Sequence, residues 1–427
     1  MPNFLEANRQ LIVIGNPGNK RTSFLQKART RLGLPPAHLI SYLDWLRYKG
    51  SPGELLRPYL QDGKQLPLIR LDSPGEQFEV ERELIALGAV CADDGNRMDP
   101  STKDLFHSAA ASDAFHPLHY FSIAARISPQ EALDLVQEQG RIYYPAQWFR
   151  GFCRLLHQIK RQAEVLSPSV RWMNDPAEIA LMFDKRRCHQ LLTAHGVPVP
   201  PIPAALGSLS NYEELREAMR TRRMHRVFIK LAFGSSASGI AAYQINPSTG
   251  AEVMITTIGL EYRNHESVYY NAGSLRKYTD SKNIKTIVNW LCEQGVHVER
   301  WIEKASAPAA LHKQVFDIRQ LVVGGQACHR VARLSHTPIT NLHLRNDRAD
   351  PADIGLTPET TDRIEEIAQA TMALFPSSFV AGIDVLLSRG SLKPYIADIN
   401  PFGDLVYDVQ FNGCSTYEWE MTCIYKG

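Results

Sequence analysis

Phe379-Val380-Ala381-Gly382-Ile383-Asp384-Val385-Leu386-Leu387 and, after a turn, Tyr395-Ile396-Ala397-Asp398-Ile399-Asn400 are two apolar runs interrupted by acids. Alternation along the second run puts Asp398 and Asn400 on one face, with Ala397 and Ile399 on the other. If the runs pair through the 388–394 turn, a symmetric register sets Asp384 directly across from Asp398. Three hard oxygen donors then share one sheet face, a set that suits magnesium. Facing carboxylates repel one another, so the alternative of plain surface residues needs that face to be wet.

Immediately upstream, residues 314–323 and 326–334 flank Gly324-Gly325, a two-glycine turn that accepts positive φ at both positions, and predict a hairpin. Its first strand carries Asp317 and Arg319 on one face. The simple register sets Arg330 opposite Arg319 and Arg333 on the other face, an assignment that one bulge reverses. Clustered guanidiniums want an anion between them; a surface Arg–carboxylate pair is the ordinary alternative.

Further back, Val227-Phe228-Ile229-Lys230-Leu231 is a strand ending in a lysine, and it feeds Gly234-Ser235-Ser236-Ala237-Ser238-Gly239. Small side chains let backbone N–H groups close over an anion, though a flexible surface turn has the same composition. Ile240-Ala241 follows where a Walker loop needs Lys-Ser/Thr, and Ser238 stands where a nucleophile elbow needs Gly.

The remaining pattern places these runs in a larger chain. Residues 11–15 read as a buried strand closed by Asn16-Pro17-Gly18, followed by a helix to about Leu32, strands over 38–43 and 64–71, and a helix over 76–87. Ser128-Pro129-Gln130-Glu131 is a capping box whose helix is expected to stop at Gly140. Asp175-Pro176-Ala177-Glu178 repeats it, with a helix expected to run to Gly196, before the proline-rich 197–203 connector. A third box is read at 210–213, then a polar stretch after the loop, a strand over 296–302, and a last helix from Thr357-Pro358 burying Ile364, Ile367 and Ala368. Strands, helices and strands in this order predict α/β followed by α+β, with a first domain over 1–100, a helical connecting segment over 101–173 and a domain over 174–427.

Composition narrows the class. The 427 residues make about three folding units. Lys and Arg number 47 against 45 Asp and Glu, without the basic excess of a nucleic-acid or anionic-membrane surface. No apolar run approaches a membrane span or a signal-peptide core, so a soluble, cytoplasmic protein is expected. The seven cysteines (91, 153, 188, 292, 328, 414, 423) contain no C-x-x-C pair and predict reduced thiols. His116, His119, His189, His195 and His312 lack zinc-site spacing, and Tyr143, Tyr144, Trp148 and Phe149 read as core.

Taken in order, these pieces resemble the ATP-grasp superfamily, most closely its RimK-like carboxylate-amine ligase branch, over about 174–404. Asp184-Lys185 ahead of Leu191-Leu192 and Gly196-Val197-Pro198-Val199-Pro200 is similar to the family's opening motif, which implies that Lys185 reaches nucleotide phosphates. Lys230 with Gly234, Ser235, Ser236 and Gly239 is similar to the second phosphate lysine and its lid. Val298-Glu299-Arg300-Trp301-Ile302 resembles the adenine hinge, implying nucleotide contacts at Glu299, Trp301 and Ile302. Phe316-Asp317-Ile318-Arg319, Arg333 and Asn341-Leu342-His343 resemble a D-I-R…R…N-L-H signature, implying Arg319, Arg333 and Asn341 at the reacting groups. Gly382-Ile383-Asp384 and Asp398-Ile399-Asn400 resemble the G-x-D…E-x-N metal motif, with Asp398 in place of the commoner Glu, as in inositol-phosphate-kinase relatives.

The resemblance implies an ATP-grasp fold of two α+β subdomains sandwiching ATP (a lid over about 200–300, a metal and catalytic part over 301–427), preceded by a pre-ATP-grasp-like domain. It implies ATP and magnesium or manganese as cofactors, and an ADP-forming ligase that activates a carboxylate for attack by an amine or thiol. A hydroxyl kinase and a silent nucleotide-binding regulator are the alternatives. The segment 241–294 is longer than the branch needs, and substrates and oligomeric state stay open.

Overall fold

The structure, a computed structural model, describes residues 10–60, 68–89, 127–234, 238–311, 314–344, 346–404 and 406–426. Cys91, His116, His119, Ser235, Ser236, Ala237, His312 and the side chain of His343 lie outside the described residues, as do 64–67 of the third strand run and 101–126 of the helical segment.

Three sheets organise the chain. The first is parallel, in the order β2-β1-β3-β4: β1 Leu11–Gly15, β2 His38–Ser41, β3 Leu68–Leu71 and β4 Arg171–Trp172. β1 is buried along its whole length, which explains its unbroken apolar run; both faces of a parallel sheet are covered. Around it lie α1 (Lys20–Arg31), α2 (Tyr42–Arg47) and α3 (Phe78–Leu87).

The Ser128 capping box forms, but its helix is only Pro129–Leu133 and ends at Asp134, not at Gly140. The second sheet captures the continuation: Asn271 N donates to Gly140 O (2.6 Å) and Ile142 N to Tyr269 O (2.9 Å). The central helix α4, Pro145–Leu166, packs Phe149, Phe152, Leu156 and Ile159 into the core of the first layer. It crosses α3 with backbones in contact: a Cβ at Gly88 would lie 1.9 Å from Gln147 O, and one at Gly151 1.8 Å from Leu84 O.

The single helix expected from Asp175 to Gly196 is two helices, α5 (Pro176–Phe183) and α6 (Lys185–Ala194), broken at Asp184. Asp184 is extended (ψ 100°) and accepts from Arg186 N as a fresh N-cap, while Lys185 N donates to Ala232 O (3.0 Å). The break ties Lys185 to the end of the strand that bears Lys230.

The second sheet is antiparallel, β8-β7-β6-β5-β9: β5 Arg226–Leu231, β6 Ile240–Ile245, β7 Glu252–Arg263, β8 Glu266–Tyr278 and β9 Val296–Arg300. Its outer face packs Val227, Ile229 and Leu231 against α7 (Tyr212–Thr221) and α8 (Ser281–Glu293) through Leu215, Met219, Ile284 and Ile287. The cap of α7 is Asn211, whose side chain accepts from Glu214 N, one residue beyond the expected box at Ser210. The stretch after Ala241 read as polar is three strands and α8; bulging of β7 against β8 between Thr256 and Ile258 breaks the alternation that would have announced them.

The third sheet is antiparallel, β12-β11-β10-β13-β14: β10 Val315–Val323, β11 Gln326–Ser335, β12 Asp347–Ala349, β13 Val380–Leu387 and β14 Pro394–Asn400. Gly324 and Gly325 take φ of 56° and 78°, as the turn demands. Helix α9 (Pro358–Met372) buries Ile364, Ile367 and Ala368 against Ile318, Val322, Ile383 and Val385. It is not the last helix: α10 (Thr416–Lys426) returns to the first layer, packing Tyr417 and Met421 with Val13 and Leu25.

The hairpin register differs from the simple one. A bulge between Gln320 and Val322 pairs Asp317 with Arg333 and Arg319 with Val331. Arg330 therefore sits opposite Gln320, not Arg319, and forms an ion pair with Glu365 of α9. Arg333 joins the face of Asp317. Among the described residues Cys153, Cys188, Cys292, Cys328, Cys414 and Cys423 are free thiols, and no helix is long and apolar enough to cross a membrane.

Candidate functional site

The second and third sheets face one another where β5 and β9 meet β14. Asp384 and Asp398 are cross-strand partners, with Asn400 opposite Gly382. Lys185, the first residue of α6, reaches across with Nζ 2.9 Å from Asp398 Oδ1, 2.8 Å from Oδ2 and 3.0 Å from Gly234 O. Lys230 Nζ lies 2.5 Å from Glu299 Oε1 and 3.3 Å from Ala397 O of β14. Both lysines thus bridge the two sheets.

Glu299 is buried, its second oxygen 3.2 Å from His297 Nε2. Burial alone would raise its pKa, but Lys230 and then His297 outweigh it and hold the carboxyl at about 2. Burial likewise pulls the Lys230 ammonium down, and Glu299 and Asp398 reverse this to a net rise. The pair stays ionised. His297 is held below the usual imidazole range by burial, and its Nδ1 is a buried polar atom with no hydrogen-bond partner. With Lys185, Cys188, His189, Leu192, Val199, Ile396 and Ile399, the His297 and Glu299 side chains line a small, mostly apolar cavity.

On the third sheet an alternating chain of ion pairs runs across the strands. Lys304 Nζ is 3.2 Å from Asp317 Oδ2; Arg333 Nε is 2.7 Å from Asp317 Oδ1 and its Nη2 3.0 Å from Asp384 Oδ1. Arg319 Nε is 2.6 Å from Asp384 Oδ1 and its Nη1 2.9 Å from Asp404 Oδ2. Thr340 Oγ1 touches Asp317 and accepts from Lys304 Nζ (2.6 Å). Burial pushes the Asp317 pKa up, but Arg333 and Lys304 drive it well below the carboxylate range, whereas burial lowers the Lys304 pKa despite Asp317.

The structure therefore brings Lys185, Lys230, Glu299, Arg319, Arg333, Asp384 and Asp398 to one cleft. Gly234 contributes its carbonyl to Lys185, and Gly239 (φ 65°) closes the loop onto Leu231, whose N–H donates to Gly239 O (3.0 Å). Trp301 packs its ring near Phe228 (centroids 5.5 Å) on the cleft face, and its backbone N–H donates to Arg226 O (3.1 Å). Ile302 lies two residues beyond the end of β9. Asn341 follows Thr340 and accepts at its carbonyl from Leu344 N (3.1 Å) and Asn346 Nδ2 (2.9 Å). Sequence reasoning missed Lys304 and the Arg319 partner Asp404. Lys304 lies two residues beyond Ile302, but nothing in the sequence reveals that its amine turns toward Asp317.

Among the described residues no cluster of three or more His, Cys, Asp or Glu is placed to hold a metal ion. The two carboxylates and the Asn400 amide are all hard oxygen donors, and Asp384 and Asp398 meet by register with side chains 15% and 36% exposed. That donor chemistry fits magnesium. In this arrangement the positive charge on them comes from Arg319, Arg333 and Lys185 instead.

No family model and no curated protein matches the chain. Solved structures do. The β,γ-ATP complex of biotin carboxylase from Campylobacter jejuni is 14% identical, with 99% of this chain and 72% of that chain covered and a TM-score of 0.50. The D-cycloserine synthetase DcsG is 11% identical over 97% of this chain and 99% of its own, with a TM-score of 0.49. The ATP-grasp ligase PsnB, complexed with a phosphomimetic variant of a minimal precursor, Mg and ADP, is 12% identical over 98% and 99%, with a TM-score of 0.49. At such identities the likeness is one of fold. The chain has the ATP-grasp fold: two antiparallel sheets facing across a cleft, preceded by a parallel α/β layer.

Proposed function

We propose that this protein is an ATP- and magnesium-dependent, ADP-forming ligase of the RimK-like kind, which activates a carboxylate as an acyl phosphate and passes the acyl group to an amine or thiol. The observation that carries the reading is the convergence of Lys185 and Lys230 from one side, and Arg319 and Arg333 from the other, on the Asp384–Asp398 pair. Residues 174–427 would be the catalytic unit, with the lid over about 200–300.

In this reading Lys185, Lys230 and the 234–239 loop neutralise and cover the phosphates, and Glu299, Trp301 and Ile302 border the base. Asp384, Asp398 and Asn400 would hold magnesium, which supplies charge neutralisation on phosphate oxygens. Arg319 and Arg333 stabilise charge on the transferring phosphoryl group as the carboxylate oxygen attacks; Asn341 lines the same side. ADP leaves, the amine displaces phosphate from the acyl carbon, and no side chain forms a covalent bond. Positioning and fixed charge suffice for such a transfer.

The test is incubation with Mg-ATP, filtered cell extract and hydroxylamine, reading ADP and hydroxamate together. Both products appearing in step supports the ligase. ADP without hydroxamate favours a kinase, the reading that the shorter Asp398 shares with hydroxyl-phosphorylating relatives, and ATP binding without ADP a regulator.

A further inference from the structure

The loop that leaves β14 presents three consecutive carbonyls to the first layer, and each is gripped by a side chain from outside the third sheet. Asn174 Nδ2 donates to Pro401 O (2.5 Å), Arg21 Nη1 to Phe402 O (3.0 Å) and Gly403 O (3.4 Å), and Arg70 Nη2 to Phe402 O (3.4 Å). The next residue is Asp404, whose carboxylate holds Arg319. We infer that Arg21 is a positioning residue for the cleft: by fixing the 401–404 backbone it sets Asp404, and through Asp404 the guanidinium of Arg319.

Several observations show that this grip is built. Arg21 stands in the first turn of α1, its own N–H donating to the Asn19 cap (2.8 Å), so its stem has a fixed origin. Arg70 is a buried junction, with Nε 3.1 Å from Asp72 Oδ1 and Nη1 2.6 Å from Glu420 Oε2 of α10. Gly403 has φ 65°, and a Cβ there would meet Val380 Cγ2 at 3.0 Å and Glu420 Oε1 at 3.3 Å. The Phe402 ring is buried among Phe152 and Phe183. Guanidinium-to-carbonyl bonds are charge-assisted and directional, so they fix the loop's orientation as well as its place. The first layer thereby reaches the Arg319–Asp384 pair through the 401–404 backbone and the Asp404 carboxylate.

This rests on the cleft being the reacting site, but its test reads Arg319 itself and needs neither ATP nor substrate. The full chain is labelled with 15N-arginine, and the Arg319 Nε–Hε resonance is assigned by its loss in Arg319→Lys. Asp404→Asn is expected to shift that resonance, and Arg21→Met to shift it too, with the double variant shifted no further than Asp404→Asn alone. Arg21→Lys, which keeps a donor at the end of the stem, should shift it less, and Arg31→Met on the exposed end of α1 not at all. An Arg319 resonance unmoved in Arg21→Met, or a double variant that adds the two shifts, overturns the inference. Should Arg21→Met fail to fold, Arg21→Lys against Asp404→Asn decides by the same criterion. Failure of Mg-ATP to bind would sink the proposed function and leave this coupling standing.

Discussion

Asp384 and Asp398 face each other across two strands, yet each is neutralised from a different side: Asp384 by Arg319 and Arg333 of its own sheet, Asp398 by Lys185 from beyond the cleft. Two adjacent carboxylates in apolar strands tolerate one another only with such compensation. A divalent cation would do the same for both at once.

Asp398→Ala should therefore keep the fold and weaken the metal site. The Lys185–Asp398 pair is partly exposed, so its removal is expected to cost below about 1 kcal/mol in thermal unfolding. The magnesium needed to support ATP binding should rise by roughly tenfold or more, measured by titrating magnesium at fixed nucleotide. An unchanged magnesium requirement removes Asp398 from the metal site.

Lys230 and Glu299 form a buried pair, and breaking it from either end strands a charge. Lys230→Met and Glu299→Gln should each cost about 3–5 kcal/mol, while the double variant costs less than their sum, read from denaturant unfolding. Lys230→Met should also abolish the rise in melting temperature that Mg-ATP gives.

The same pair predicts a pH signature. The Glu299 carboxyl is depressed to about 2 from an ordinary 4.5, so its contribution is fully present above about pH 4.5 and disappears as pH falls towards 2. The shift corresponds to about 3 kcal/mol. The stability gap between the parent protein and Glu299→Gln should be constant from pH 5 to neutrality and narrow progressively from about pH 4.5 towards pH 2; a gap undiminished at pH 2.5 means Glu299 is not held ionised.

Gly403→Ala places a side chain where φ is 65° and two atoms crowd the new Cβ. A loss of about 1–2 kcal/mol is expected from the backbone conformation alone, with more from the contact with Val380. Gly390→Ala, at φ 80° with open space around it, should show the backbone cost without the crowding. Equal losses would mean that the loop yields.

Much of this was legible because strands announce themselves by alternation. Asp384 does face Asp398 as the symmetric count expects, but the turn itself pairs Leu387 with Pro394 and a bulge between Asp384 and Val385 restores the expected partner. The Gly324-Gly325 hairpin follows from its dipeptide. The pairing of Arg333 with Asp317 was not, because a bulge at Gln320–Val322 shifts the register, and local sequence does not signal it. The break at Asp184 was hidden too: Asp184 reads equally as a helix residue and as a cap, and the decision comes from the Lys185 amide finding Ala232 O. Lys304, Asp404 and the Arg21 grip depend on contacts between distant segments.

The central claim is that the cleft between the second and third sheets binds Mg-ATP through Lys185 and Lys230. Calorimetric titration of Mg-ATP into the parent protein and into Lys185→Met tests it most directly. Binding to a single site that weakens at least tenfold in the variant, whose unfolding midpoint stays close to the parent's, is the result the account predicts. No binding to the parent, or equal affinity in both proteins, would contradict it.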